Sequence, residues 1–136
     1  HLAGDNRWMH RPHMDWTRVA ERQEWWTVPG RIFSGLSDML AARRDTDALH
    51  AQAGAYPVWT HNDAVFGLLR DSPRGRVLAL ANFSDRPQMV PGYRLHEMLF
   101  GGRLIDRLSG RVVESAPGIA LEAYEALWLT PESELG

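Results

Sequence analysis

The chain contains no cysteine and no lysine. Without cysteine there is no disulfide framework, no thiol nucleophile and no thiolate metal site. All fifteen basic residues are arginine. A GC-rich coding bias accounts for that better than selection for bidentate pairing does. Neither sign of charge is in excess, the net being −2. A basic field for nucleic acid is therefore missing, and nucleic acid is not an expected partner. No apolar run reaches the length of a membrane span, so a membrane is not an expected partner either. No basic stretch followed by an apolar one marks a signal peptide. The expected location is the cytoplasm, with secretion as the alternative. Internal repeats and low-complexity stretches are missing too.

What is there divides in two. The first 26 residues are polar and aromatic and hold Trp8, Trp16, Trp25 and Trp26, four of the six tryptophans. The run Gly4-Asp5-Asn6-Arg7-Trp8-Met9-His10-Arg11-Pro12 packs an acid, two arginines, a histidine and a tryptophan into one loop-like stretch. Such a mixture is costly to bury and suggests a sugar or other polyol site. It stands almost at residue 1, which suggests a chain that begins inside a larger protein.

Met14–Gln23 reads as a short helix with Asp15 suited to its first turn. Residues 27–44 read as a firm amphipathic helix with Thr27 as N-cap and Pro29 in the first turn. Ile32, Phe33, Leu36, Met39 and Leu40 form one apolar stripe, expected to be core and to need a large partner surface. Arg43 and Arg44 complement the C-terminal end of the helix dipole.

From about Ala53 the period shortens. Eight β-rich runs follow: Tyr56–Trp59, Val65–Arg70, Arg76–Phe83, Gln88–Tyr93, Arg103–Leu108, Arg111–Val113, Ile119–Leu121 and Tyr124–Thr130. Turn signals separate them, and the regular spacing predicts an antiparallel sandwich or barrel. Leu108–Val112 reads as a tight hairpin, and the tail from Pro131 as frayed.

Several side chains allow two readings. Asp5 and His10 either touch sugar hydroxyls or fix their own loop. His10, His13 and Asp15 have a spacing compatible with a metal, but lack a further ligand. Trp8 and Trp16 read as packing more than stacking. Trp25 and Trp26 read as anchors. Ser34, Ser37 and Asp38 lack a histidine at useful spacing for nucleophilic catalysis. Trp59 and His61 could mark a surface glucan site.

The order of polar loop, amphipathic helix and small all-β domain resembles the C-terminal end of the α-amylase superfamily. Asn82-Phe83-Ser84 and the strand Leu127-Trp128-Leu129 resemble its C-terminal domain. The opening run, followed by Gly30-Arg-Ile-Phe-Ser-Gly-Leu36, resembles the amylosucrases in particular. The resemblance implies the end of a (β/α)8 barrel over residues 1–52, as loop and last helix. An antiparallel β-sandwich domain is implied over 53–136.

It further implies a parent enzyme that moves glucose from sucrose onto an α-1,4-glucan and releases fructose, through a covalent glucosyl-enzyme. The implied partners are sucrose, α-glucan and the remainder of the barrel. The catalytic carboxylates of that family fall outside this chain, so the segment alone is expected to be inactive. No cofactor and no metal is implied. Arg7 matches the family's pocket arginine, which pairs with an early-barrel Asp and closes the pocket floor. Asp5 is the second substrate-binding candidate. A sucrose hydrolase and a stand-alone carbohydrate-binding β-domain are the alternatives.

Overall fold

A computed structural model of the protein describes residues 13–134. The chain forms two compact units, one running to Asp38 and the other from Met39 onward.

In the first unit, α1 (Trp16–Val19) runs into a 3-10 turn at Ala20–Gln23. Asp15 caps α1 from outside its first turn. Its Oδ1 accepts the Thr17 N–H at 3.0 Å and the Thr17 hydroxyl at 2.6 Å. Those bonds stabilise the carboxylate and hold it below its ordinary titration range, the side-chain bond contributing most. The second helix, α2 (Val28–Arg44), begins in this unit and its last residues belong to the other; it starts where the sequence predicts, with Gly30 N–H donating to Thr27 Oγ1 at 3.0 Å. Gly30 is required there, because a Cβ would stand 2.0 Å from the Glu24 carbonyl oxygen. The stripe expected to be core is exposed along α2 in this chain, Leu36 being 56% and Leu40 67% accessible. A single helix has no second surface on which to bury such a face.

The second unit is built on strands. These are β1 (Gly54–Val58), β2 (Val65–Ser72), β3 (Gly75–Asn82), β4 (Gln88–Val90), β5 (Arg103–Asp106), β6 (Val112–Glu114), β7 (Ile119–Leu121) and β8 (Ala126–Pro131). Six of them form one antiparallel sheet in the order β1-β2-β3-β8-β5-β6, and β4 pairs with β7 in a small second sheet. The predicted sandwich is therefore present in unequal form. Across β3 and β8, Leu78 faces Leu129 and Leu80 faces Leu127. These four leucines join Val90, Ile119 and Leu121 of the small sheet in one buried cluster. Each fully buried leucine contributes roughly 1.5–3 kcal/mol. Period-2 alternation in β3 and β8 puts this set on one face.

The run Gln88–Tyr93 does not continue as a strand. β4 stops at Val90, and Pro91, which lacks an N–H for the ladder, leads into a third helix, α3 (Gly92–Glu97). Leu95 from that helix and Phe100 after it are fully buried in the same cluster. The segment at Leu108–Val112 is a longer loop than a tight hairpin, organised by the Asp106 carboxylate. Pro131 is buried in β8 and pairs with Leu104. It is part of the sheet, where the sequence suggested fraying.

The other face of the main sheet carries a connector. A 3-10 turn at Asp47–Leu49 lies on β2 and β3, with Thr46 and Ala48 buried. Two arginines hold it. Arg70 donates to the His50 carbonyl at 2.6 Å. Arg107 donates to Thr46 Oγ1 at 3.2 Å and to the Asp45 carbonyl at 3.0 Å.

Candidate functional site

Arg7 and Asp5, the two residues assigned to substrate, lie outside the described residues, as do Trp8 and His10. Of the remaining sequence candidates, most are occupied structurally. Asp15 caps α1. Ser37 donates its hydroxyl to the Phe33 carbonyl at 2.8 Å within α2. Trp25 and Trp26 are exposed and meet edge to face at 6.0 Å. Among the described residues, no three His, Asp or Glu side chains converge as metal ligands would.

Trp59 and His61 stand differently. They sit on the loop that joins β1 to β2, and this loop is fixed from beneath. Thr60 is fully buried, its hydroxyl within bonding distance of the Val65 carbonyl (2.8 Å) and the Asn62 carbonyl (3.0 Å). Asn62 donates to Gln88 Oε1 at 3.0 Å and the Met89 carbonyl at 3.1 Å, and its Oδ1 accepts the Ala64 N–H at 2.9 Å. The turn forces His61 to a φ of 62°, in the left-handed region that side chains seldom adopt. From there its Nδ1 lies 3.1 Å from the Tyr93 hydroxyl of α3. The His61 ring centroid is 6.3 Å from that of Trp59 and 5.7 Å from that of Tyr93. Arg94 completes the bracing, donating through Nε to the Trp59 carbonyl at 2.6 Å and through Nη1 to Glu97 at 2.9 Å.

The result is a row of three accessible rings on a rigid base, with Trp59 55% and Tyr93 59% exposed. Trp59 also borders an open groove of about 660 Å³, whose walls include Pro57, Ala64, Phe66 and Phe83, with Asp63 at its rim. The parity of the strands explains the groove. Phe66 pairs with Ala81, and both point away from the buried leucine face, beyond the reach of the Asp47–Leu49 turn. This surface is open to solvent and lined largely by apolar side chains. It presents no opposed pair of carboxylates with which to cleave a glycoside.

Sequence reading missed Tyr93, Arg94 and Asn62. The Pro91-Gly92 pair was the available signal, since such a pair punctuates the chain and argues against a strand running through it. The Asn82-Phe83-Ser84 motif turns out to be partly architectural. Asn82, 3% exposed, donates to the carbonyls of Arg86 (2.7 Å) and Glu122 (2.8 Å), and its Oδ1 accepts from the Ser84 N–H and hydroxyl at 2.9 and 2.8 Å. It thereby ties the end of β3 to the end of β7.

Residues 56–130 match the family model described as the amylosucrase C-terminal domain. The glucosylglycerate phosphorylase of Spirochaeta thermophila is 32% identical over 147 residues, covering 98% of this chain and 24% of the relative. The chain thus spans about a quarter of that curated protein. By fold, it is similar to AmyP in complex with maltose (TM-score 0.60, 18% identity, 78% of this chain and 22% of that one). A variant of AmyP in complex with maltotriose gives the same TM-score, 0.60, at 17% identity, covering 76% of this chain and 21% of that one.

Proposed function

The chain belongs to the family of amylosucrase C-terminal domains, and from this we propose that it is the C-terminal segment of an enzyme that transfers glucose from sucrose to an α-1,4-glucan. The family match over residues 56–130 carries the reading. Residues 1–52 are the end of the catalytic barrel, with α2 its last helix, and 53–136 are the β-domain. The exposed stripe of Ile32, Phe33, Leu36, Met39 and Leu40 supports this division. A contiguous apolar face of that size needs cover, and the rest of the barrel is the cover proposed.

In this reading the reaction is a retaining one. An upstream Asp attacks the anomeric carbon of the glucosyl unit. Fructose leaves with a proton from an upstream Glu. The terminal hydroxyl of a glucan, deprotonated by that Glu, then displaces the Asp. This chain supplies Arg7, whose guanidinium pairs with a barrel Asp through two parallel bonds and closes the pocket behind one glucosyl unit. Asp5, two positions before it in the sequence, is the second substrate-binding residue of this reading. We propose the cytoplasm as its location, with secretion as the alternative.

A second reading has an observation of its own. The similarity to glucosylglycerate phosphorylase extends over almost the whole chain, which favours phosphate as an alternative acceptor. The two readings separate in one assay. The full-length protein is incubated with sucrose or with glucosylglycerate, each with and without inorganic phosphate. Fructose release with growth of a glucan supports the transferase, and free glucose supports a hydrolase. Glucose 1-phosphate formed only with phosphate supports a phosphorylase. No turnover of sucrose under either condition rejects the sucrose reading.

A further inference from the structure

We infer that the β1–β2 loop and the groove beside it form a surface binding site for an α-glucan chain, separate from the pocket that Arg7 would close. The inference rests on the carbohydrate reading above for its choice of ligand class.

A sugar ring offers an apolar C–H face and a rim of hydroxyls. Its receptor therefore needs an aromatic face in a fixed orientation with polar groups at the margin. Trp59 supplies the face and, with Phe66 and Phe83, continues it along the groove. Fixity comes from the loop. The buried Thr60, the Asn62 bonds to the β4 strand and the Arg94 bond to the Trp59 carbonyl all hold the backbone under the ring. His61 is kept in a left-handed conformation against Tyr93. Backbone strain of this kind persists only where the surroundings enforce it.

The charges at the site select the chemistry further. Arg94 is spent on Glu97 and on the Trp59 carbonyl, so no free cation faces outward from it. Asp63 adds a carboxylate at the rim. An anionic ligand is disfavoured there, whereas an uncharged ligand that donates hydroxyl hydrogens is matched. The His61 imidazole and Tyr93 phenol beside the Trp59 ring, with the Asp63 carboxylate in the groove, offer hydrogen-bond partners to a polyhydroxylated chain. A groove of about 660 Å³ falls within the size range of small-ligand sites.

The test is affinity electrophoresis of the full-length protein in gels containing glycogen, with maltoheptaose as competitor. Trp59→Ala is expected to weaken glycogen retention by on the order of tenfold, the value of one lost stacking contact. Tyr93→Phe, which frees His61 while leaving a ring, is expected to weaken it by about two- to threefold. Tyr56→Ala, an exposed ring on β1 outside the groove, should migrate as wild type. Thermal melts of each variant establish folding, and Phe83→Ala substitutes for Trp59→Ala if the latter fails to fold.

Retention unchanged in Trp59→Ala and Phe83→Ala overturns the site, as does a wild type that turns over sucrose but ignores glycogen. A fall in melting temperature without loss of retention overturns it too, marking Trp59 as a protein contact. Tryptophan-dependent retention in a protein that releases no fructose keeps this site and rejects the proposed reaction.

Discussion

The Asp106 carboxylate accepts the backbone N–H of Trp128 at 2.9 Å, joining the end of β5 to the middle of β8. The same side chain accepts from Leu108 N–H (3.2 Å), Ser109 N–H (3.1 Å) and the Ser109 hydroxyl (2.5 Å), and is 1% exposed. One residue thus closes the β5–β6 loop and registers the strand beside it. Asp106→Ala leaves these donors unpaired and is expected to destabilise the domain by about 3 kcal/mol. Asp106→Asn does not rescue it, because an amide N–H then faces other N–H groups. Urea denaturation of both variants checks the pair.

Asn82 is the complementary case, since its amide donates to carbonyls and accepts from Ser84 at once. Asn82→Asp places a carboxylate oxygen against the Arg86 and Glu122 carbonyls. It is expected to be more damaging than Asn82→Ala, which should cost roughly 2–3 kcal/mol. The order of the two midpoints in chemical denaturation decides the matter.

Gly30→Ala sets a methyl against the Glu24 carbonyl, which the backbone must move to accommodate. The gain in helix propensity, about 1 kcal/mol, is outweighed. Faster proteolytic cleavage between Gln23 and Val28 is the expected sign, with Gly35→Ala, where a methyl meets nothing, as the harmless control.

The cap of α1 depends on pH in a definite direction. The Thr17 bonds depress the Asp15 titration, so the stabilisation they provide is complete above the ordinary carboxylate range. It is lost as pH falls through the depressed value. The Thr17 amide resonance should shift on that titration, and the shift should vanish in Asp15→Asn, which keeps an acceptor oxygen.

On the proposed reading, Arg7→Ala in the full-length protein is expected to lower kcat/KM for sucrose by at least on the order of a hundredfold, the equivalent of a broken buried pair of roughly 3 kcal/mol. A folded variant with near-normal sucrose kinetics removes Arg7 from the pocket.

All eight strands were legible, because the alternation in β3 and β8 and the turn residues between strands are local signals. What failed was local too, but read without its tertiary partner. Gln88–Tyr93 looked uniformly strand-like, and only the packing of Leu95 and Phe100 under the sheet makes Gly92–Glu97 a helix. The stripe on α2 was recognised correctly as apolar, yet periodicity cannot tell whether its cover lies in the same segment. Trp59 and His61 were visible as residue types. Their coupling to Tyr93, 32 positions away from His61, required the fold.

The place of β8 has a consequence for biosynthesis. Among the described strands it comes last in chain order, yet it lies inside the six-stranded sheet, between β3 and β5. Until it leaves the ribosome, the β1-β2-β3 meander and the β5-β6 hairpin are two fragments with no common edge. Each shows an open row of backbone donors and acceptors beside apolar side chains, the arrangement most prone to pairing with a neighbouring nascent chain. Everything upstream must therefore wait, or be shielded, until residues 126–131 arrive. A chain cut short before residue 126 is expected to aggregate rather than to fold as a slightly shorter domain.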